Sequence, residues 1–519
     1  MWQIFSLNFS RPKMRLFKTL AGLRCYLETA RSGREVGFVP TMGALHPGHC
    51  SLIRRARRQN DLVVVSIFVN PLQFAPTEDL NSYPQTLEAD QLLCEQLGVD
   101  VLFVPSVEAM ETTQASLTQV TPPPEALQVL CANRRPGHFQ GVSTIISKFL
   151  HLIQPDRLYL GQKDAQQLAI LQRMVKDLNL SVEVVPCPTV REGSGLAYSS
   201  RNQYLTPEQK VEAAGLSQAL QKAGQLFHRG ERGTASLITA VQQELDAIPA
   251  LAVEYVELVH PMTLTPLKTI AKEGLLAVAA KLGKTRLIDN VVLHSRLPII
   301  AIDGPAGAGK STVTKQVAAG LGLLYLDTGA MYRAVTWLVL QSGIAIHDEA
   351  AIAELVSQSQ LELITTNGQL GVKINGVDVT QVIRSSTVTA QVSAIAAQKF
   401  VRQQLVQQQR LLGESGGLVA EGRDIATHVF PDAELKIFLT ASITERARRR
   451  HQDMQSQGET GITLTILEQE IAQRDAKDQS RVVAPLTKAE GAIEINTDDL
   501  SIPAVVEEIM RLYKNHQPS

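Results

Sequence analysis

Ile299-Ile-Ala-Ile302, followed by Gly304-Pro-Ala-Gly-Ala-Gly-Lys310-Ser311, decides the fold of the second half of this sequence. Three isoleucines and an alanine read as a short buried strand, the glycines as a turn, and residues 311–321 as the helix that leaves it. Backbone N–H groups of such a turn close around phosphate oxygens, a lysine reaches the β and γ phosphates of a nucleoside triphosphate, and the hydroxyl that follows joins Mg²⁺. Gly304, Gly307, Ala308, Gly309, Lys310, Ser311 and Thr312 are therefore the expected ATP contacts here, with Ser311 the expected metal ligand. A chance glycine-rich turn would need neither the strand before it nor the helix after it.

The remainder of the chain must hold further domains, because 519 residues exceed what one hydrophobic core serves. An apolar share of 44% with 19% charged residues is that of an ordinary globular protein, so both halves should fold. Fifty basic residues against fifty-one acidic ones leave a formal charge of −1, which offers no global field for nucleic acid or an anionic membrane. The five cysteines are odd in number and form no C-x-x-C pair, so a reduced, cytoplasmic compartment is expected. No apolar run approaches the roughly 20 residues of a membrane helix. The stretch from Met1 to Lys13 lacks the apolar centre of a signal peptide and reads as a frayed extension before Met14.

From Met14 the pattern predicts an amphipathic helix, a strand at Val36-Gly-Phe-Val-Pro40, a glycine-rich turn, a helix at residues 51–58 and a strand at Leu62-Val-Val-Val-Ser-Ile-Phe-Val69. Val101-Leu-Phe-Val104, Arg157-Leu-Tyr-Leu160 and Val182-Glu-Val-Val185 continue the alternation. This is the arithmetic of an α/β domain with a doubly wound, Rossmann-like parallel sheet that binds ligands at the carboxyl ends of its strands. After Tyr204 come a long helical stretch and strands near residues 251–258, 275–281 and 287–293. Three domains are expected: 14–204, a small α+β subdomain over 205–294, and a P-loop domain over 297–519. Only His294-Ser-Arg-Leu-Pro298 joins the last two, too short for a flexible linker.

P-loops serve many chemistries, and the guanine-reading Asn-Lys-x-Asp of a GTPase is missing from this sequence. Instead there are Leu326-Asp-Thr-Gly-Ala-Met-Tyr-Arg333, Glu421-Gly-Arg-Asp424 and the string Arg474, Asp478, Arg481. The string has i, i+4, i+7 spacing, which places two guanidiniums and a carboxylate on one helical face, able to grip phosphate and ribose oxygens. From about residue 297 to 515 the chain resembles cytidylate kinase, a P-loop nucleoside monophosphate kinase. The resemblance implies that Arg333, Arg423, Arg474, Asp478 and Arg481 hold the CMP phosphate and sugar, and that Ser393, Arg402 and Asp424 read the cytosine. Gly371-Val-Lys-Ile-Asn-Gly-Val-Asp-Val-Thr380 reads as a β-hairpin and matches the small insert of that family. Ala426 departs from the family, which usually has Gly there. Arg446, Arg448, Arg449 and Arg450 fit two readings, a solvated helix face and a lid that neutralises charge on the transferring phosphoryl group.

In the first half Pro40-Thr-Met-Gly-Ala-Leu-His46-Pro-Gly-His49 brings two imidazoles to the ligand edge of the sheet. A zinc site would need a thiol or acidic partner at suitable local spacing, and none stands there. The pattern is similar to the His-x-Gly-His signature of nucleotidylyl transferases. Together with Phe68-Val-Asn-Pro-Leu-Gln-Phe74, Arg135-Pro-Gly-His-Phe139, Gly161-Gln-Lys-Asp-Ala-Gln-Gln167 and Ser199-Ser-Arg-Asn202, it makes residues 14–294 closely resemble pantothenate synthetase.

That resemblance implies two steps. Pantoate carboxylate attacks the α-phosphorus of ATP, releasing pyrophosphate, and the amine of β-alanine then displaces AMP from pantoyl adenylate. It implies ATP contacts at Met42, Gly43, His46, His49, Gly161, Lys163, Asp164, Val190, Ser199, Ser200 and Arg201. Among these His46, His49, Lys163 and Arg201 would be catalytic, as would Lys310 in the other half, with His49 the proton donor. Gln73 and Gln167 carry amides suited to pantoate or β-alanine. Asp90 is read as a carboxylate supporting Mg²⁺ from behind or, more simply, as a surface group, and Arg54, Arg55, Arg57 and Arg58 as a solvated helix face. Expected partners are pantoate, β-alanine, CMP and ATP, with neither nucleic acid nor membrane, and a homodimer through the ligase half by resemblance. In the rival reading one half is a catalytically silent scaffold or a regulatory nucleotide-binding module, and a silent domain would have no need of intact His49, Lys163, Lys310 and Asp478 together.

Overall fold

Every residue of the strand Leu62–Ile67 is buried, as a strand covered on both faces requires. It sits inside the first of two units, Met1–Ser295 and Arg296–Ser519, into which the chain divides. The computed structural model describes residues 14–516 apart from 76–79, 113–116, 367–368, 457–462 and 480–485. The expected leader before Met14 lies outside the described residues.

The first unit carries β1 (Arg15–Phe17), β2 (Val36–Thr41), β3 (Leu62–Ile67), β4 (Val101–Phe103), β5 (Arg157–Gly161) and β6 (Glu183–Cys187). They form one parallel sheet in the order β1-β4-β3-β2-β5-β6. The chain winds outward from β2 through β3 on one side, and β5 stands on the other. The crevice at the carboxyl ends of β2 and β5 is therefore the topological switch point where such sheets take ligands. One expectation fails at the start: residues 15–17 are an edge strand, and the helix begins only at Leu20, capped by the Thr19 hydroxyl. A three-residue strand carries too little alternation to be read, and its partner β4 is remote in sequence.

Further along, β7 (Leu251–Val259), β8 (Glu273–Leu282) and β9 (Thr285–His294) form an antiparallel sheet. Its apolar residues pack with helices Gly215–His228 and Thr234–Asp246 in a separate core around Leu220, Phe227, Val241 and Val278.

The second unit is built on β10 (Ile299–Asp303), β11 (Leu324–Asp327), β12 (Leu361–Thr366), β13 (Gln369–Ile374), β14 (Val377–Asp378), β15 (Leu418–Gly422), β16 (Leu435–Thr440) and β17 (Ile493–Asn496). Five of these form a parallel sheet in the order β11-β15-β10-β16-β17, with β10 at the centre. The expected hairpin is β13 and β14, turning at Asn375 and Gly376 with positive φ at both, the Asn-Gly geometry that matches strand twist. β12 adds a third strand that the sequence pattern did not disclose. No helix among the described residues is long and apolar enough to cross a membrane.

Candidate active sites

Helix Pro47–Gln59 starts earlier than its charge pattern suggests, with His46 as N-cap and proline in its first turn. His46 Nδ1 accepts the Gly48 N–H at 3.2 Å, which fixes this ring, and His49 follows on the first helical turn with its ring centroid 4.0 Å from that of His46. Burial first, then the Lys163 ammonium, pushes His46 down to about 4. Burial first, then His46 and Lys163, pushes His49 down to about 3. Both rings are held below the usual imidazole range, so in this state each offers a neutral N–H. The buried His49 Nδ1 has no hydrogen-bond partner among the described residues. The Tyr198 ring stacks over His46 at 6.2 Å, and its backbone N–H donates to the Val190 carbonyl, which brings Val190 to the same corner.

The turn between β2 and that helix is held from beneath by Asp90. Its two oxygens accept the N–H groups of Ala44 at 2.9 Å and Leu45 at 2.8 Å, and the residue is 3% exposed. The surface-carboxylate reading is thus overturned: Asp90 clamps Gly43–Leu45, where both Gly43 and Ala44 have positive φ. The arginine face is also corrected in part. Arg55 donates to the Pro186 carbonyl at 2.8 Å, and Arg57 pairs with Asp100 at 2.5 Å, while Arg54 and Arg58 are exposed.

Gln73 sits on a turn that presses against helix His138–Ile153, so closely that a Cβ at Gly141 would lie 2.2 Å from the Leu72 carbonyl oxygen. Only glycine permits that approach. Gln73 Nε2 reaches Met42 Sδ at 3.0 Å, and its carbonyl accepts from His138 Nδ1 at 2.7 Å and Arg135 at 3.3 Å. A cleft open to solvent brings Arg135, His138, Lys163, Asp164, Gln167 and Arg201 together. His46, His49 and Gln73 are not among its walls; the first two are tied to it electrostatically through Lys163. Ser199 caps the turn Ser200–Tyr204, and the buried Ser200 hydroxyl lies 3.0 Å from that of Tyr83.

Sequence reasoning missed what braces Lys163. Asn290 on β9 donates to the carbonyls of Gln162 at 3.0 Å and Lys163 at 2.8 Å, immediately after Asp289, which binds Arg191 at 2.6 and 3.0 Å. The signal was present: Asp289 and Asn290 interrupt the apolar run from Leu287 to Leu293.

In the second unit Gly304 has φ 153°, and a Cβ there would lie 2.2 Å from the Leu439 carbonyl oxygen, so the loop leaves β10 through a passage only glycine fits. Gly309, also left-handed, caps helix Lys310–Leu321. Lys310 Nζ donates to the Pro305 carbonyl at 2.7 Å across its own loop. Burial, then the nearby Arg423, pushes it down to about 7. The Ser311 hydroxyl donates to Glu421 at 2.8 Å, and Tyr325 donates to the other oxygen of the same carboxylate. Burial, then Asp327, raises Glu421 above the usual carboxylate range. Ala308 is buried and Thr312 exposed.

Arg333 pairs with Asp327 at 3.2 Å, and Asp327 also caps the helix that carries Arg333. Arg402 is buried against Asp424 and donates to the Ala396 carbonyl at 3.3 Å, one turn beyond the exposed Ser393 on helix Ser386–Ala397. Ala426 has none of the positive φ that would demand glycine, and its methyl is buried in the core, so the departure is a packing change without strain. Arg474 is exposed on helix Leu464–Gln479, which also carries Asp478; Arg481 and the Asp478 side chain lie outside what is described.

The four clustered arginines divide sharply. Arg446 is buried, binds Asp475 through two bonds and donates to the Ala306 carbonyl of the P-loop at 3.1 Å. Arg449 joins Glu445 to Thr497, whereas Arg448 and Arg450 make exposed pairs with Glu445 and Glu470.

Paired imidazoles at the switch point of one parallel sheet and a phosphate-cradling loop at the centre of another define a chain of two ATP-using α/β enzyme units. Residues 15–292 match the family model described as pantoate-beta-alanine ligase, and residues 300–515 the model described as cytidylate kinase. The chain is 57% identical to a bifunctional pantoate ligase/cytidylate kinase of Nostoc sp., over 96% of this chain and 99% of that protein. It is 56% identical to the protein of the same name in Synechococcus elongatus, over 97% and 96%. A solved pantothenate synthetase from Thermus thermophilus shares 45% identity at a TM-score of 0.51, spanning 54% of this chain and 99% of that one. The chain belongs to the bifunctional pantoate ligase/cytidylate kinase family, an ATP-dependent ligase in its first unit and an ATP-dependent kinase in its second.

Proposed function

We propose that His46 and His49 hydrogen-bond the ATP phosphates as pantoate carboxylate attacks the α-phosphorus. The observation that carries this is the buried His49 Nδ1 without a partner among the described residues, on a ring kept neutral beside Lys163. The phosphorus passes through a crowded state richer in negative charge, and preset donors in a partly dry site stabilise it without reorganising. Lys163 and Arg201 balance the charge of the departing pyrophosphate, while Ser199 and Ser200 donate to phosphate oxygens. Met42, Gly43, Gly161, Asp164 and Val190 complete the nucleotide site. Gln73 and Gln167 orient pantoate and β-alanine, so that the amine meets the acyl carbon and AMP leaves.

In the second unit residues 304–312 hold ATP, and Arg333, Arg423, Arg474, Asp478 and Arg481 hold the CMP phosphate and ribose. Ser393, Arg402 and Asp424 read the base, and a phosphate oxygen of CMP attacks the γ-phosphorus as its bond to the β–γ bridging oxygen breaks and ADP leaves, a reaction that needs mainly positioning and charge neutralisation. The hydroxyl of Ser311 and the carboxylate of Glu421 are hard oxygen donors that fit Mg²⁺. When bound, the ion offsets phosphate charge. We read the first unit as a nucleotide-binding part over residues 14–204 and an α+β part over 205–294, assign the chain to the cytoplasm, and expect a homodimer through the ligase unit, which sedimentation of the intact chain tests.

Asp424→Ala tests the acceptor reading. KM for CMP should rise far more than KM for ATP in an assay of CMP-dependent ADP release. An equal rise in both would remove Asp424 from base recognition.

A further inference from the structure

Asp303 is the last residue of β10 and directly precedes Gly304, so its backbone belongs to the root of the P-loop. Its side chain turns the other way. Oδ1 accepts the N–H of Ile425 at 2.8 Å and Oδ2 the N–H of Ala426 at 2.8 Å, and the residue is 1% exposed. These two amides follow immediately on Arg423 and Asp424, at the start of the π-helical turn Ile425–Val429. β10 is the central strand of its sheet, tied on one side to β15 and on the other to β16, which makes it a rigid base for whatever it carries.

We propose that Asp303 is a positioning residue, a strut by which the rigid root of the ATP-holding loop sets the place of Arg423 and Asp424 in the acceptor site. The inference rests on the reading that these two residues hold CMP. A carboxyl group suits the task because it offers two acceptor oxygens at the spacing of two successive amides. The charged groups that face it are Asp424, which opposes its ionisation, and Lys310, which favours it. Donor and acceptor substrates must meet in line within a fraction of an ångström, and a strut between their two cradles fixes that register before either arrives.

Asp303→Asn keeps the size of the side chain but turns one acceptor into an NH₂ that faces a backbone N–H. In the full-length chain this variant should raise KM for CMP about tenfold or more, leave KM for ATP within about twofold, and leave pantothenate synthesis unchanged. A merely structural role would reduce the amount of active kinase, lowering kcat with both KM values intact, and that result would overturn the strut. If the variant's kinase unit does not fold, amide exchange in the wild-type chain decides instead. Protection of Ile425 and Ala426 equal to that of β10 supports the inference, and exchange at loop rates defeats it. Asp424→Ala, run alongside, separates the two failures. If it raises KM for CMP and Asp303→Asn does not, the strut alone is wrong; if neither does, the acceptor reading falls and the inference with it.

Discussion

In the first unit the groups proposed to meet the ATP phosphates are mostly neutral rings and hydroxyls, His46, His49, Ser199 and Ser200, beside the Lys163 ammonium. In the second unit the groups proposed to hold CMP, and the arginine that braces the P-loop, include full charges already engaged with opposite charges: Arg333 with Asp327, Arg402 with Asp424, Arg446 with Asp475. The Ser311 hydroxyl is likewise engaged, with Glu421. A site of neutral donors accepts an anion by adding bonds. A site of ion pairs accepts one by exchanging bonds, and the desolvated partner left behind must be given a new one. The first arrangement favours preorganisation, and the second couples binding to movement of the residues that let go.

The most severe test of this contrast is to remove one group from each side. Lys310→Ala should lower CMP phosphorylation by at least about 10²–10³-fold while pantoate- and β-alanine-dependent AMP release stays near wild type, and His49→Ala should do the reverse by a similar factor. Loss of both activities in a folded single variant would break the picture of two independent sites.

Next in size is the clamp on the P-loop. Arg446→Ala strands Asp475 in a partly buried position and should destabilise the kinase unit by about 3–5 kcal/mol, read from its denaturant midpoint, with the ligase unit unaffected.

The pH dependence of the two units should have opposite signs where these groups act. His46 and His49 titrate lower in the folded unit than their ordinary 6.5, so they contribute stability above that value and lose it as pH falls through about 4 and 3. Asp303 is pushed up to about 7, chiefly by burial and against its two amide bonds, so its contribution is fully present below about 3.8 and is lost as pH rises through 7. Calorimetry between pH 4.5 and 7.5 should show the ligase transition flattened in a His46→Gln, His49→Gln double variant, and an opposite slope removed from the kinase transition by Asp303→Asn. The smallest effect belongs to Arg448→Ala, an exposed pair whose loss should leave the denaturant midpoint of the kinase unit unchanged.

Much of the fold was legible because its signals are local. Leu62–Ile67 and Ile299–Asp303 are strands covered on both faces and read as mainly apolar runs, and Asn375-Gly376 is a turn that few other pairs adopt so readily. Where the reading failed, the cause was distance along the chain. Arg15–Phe17 is a strand only because β4 lies beside it, and Asp90 is a clamp only because the fold carries Ala44 and Leu45 to it.

The residue types and their spacing indicated the chemistry each unit brings: a phosphate-binding turn between strand and helix, and paired imidazoles at a helix start. Tertiary structure alone decided their state. How far each imidazole is shifted, which of four clustered arginines is locked against Asp475, and which carboxylate holds a backbone turn depend on desolvation and on partners far away in sequence. Both act only once the chain has closed around them.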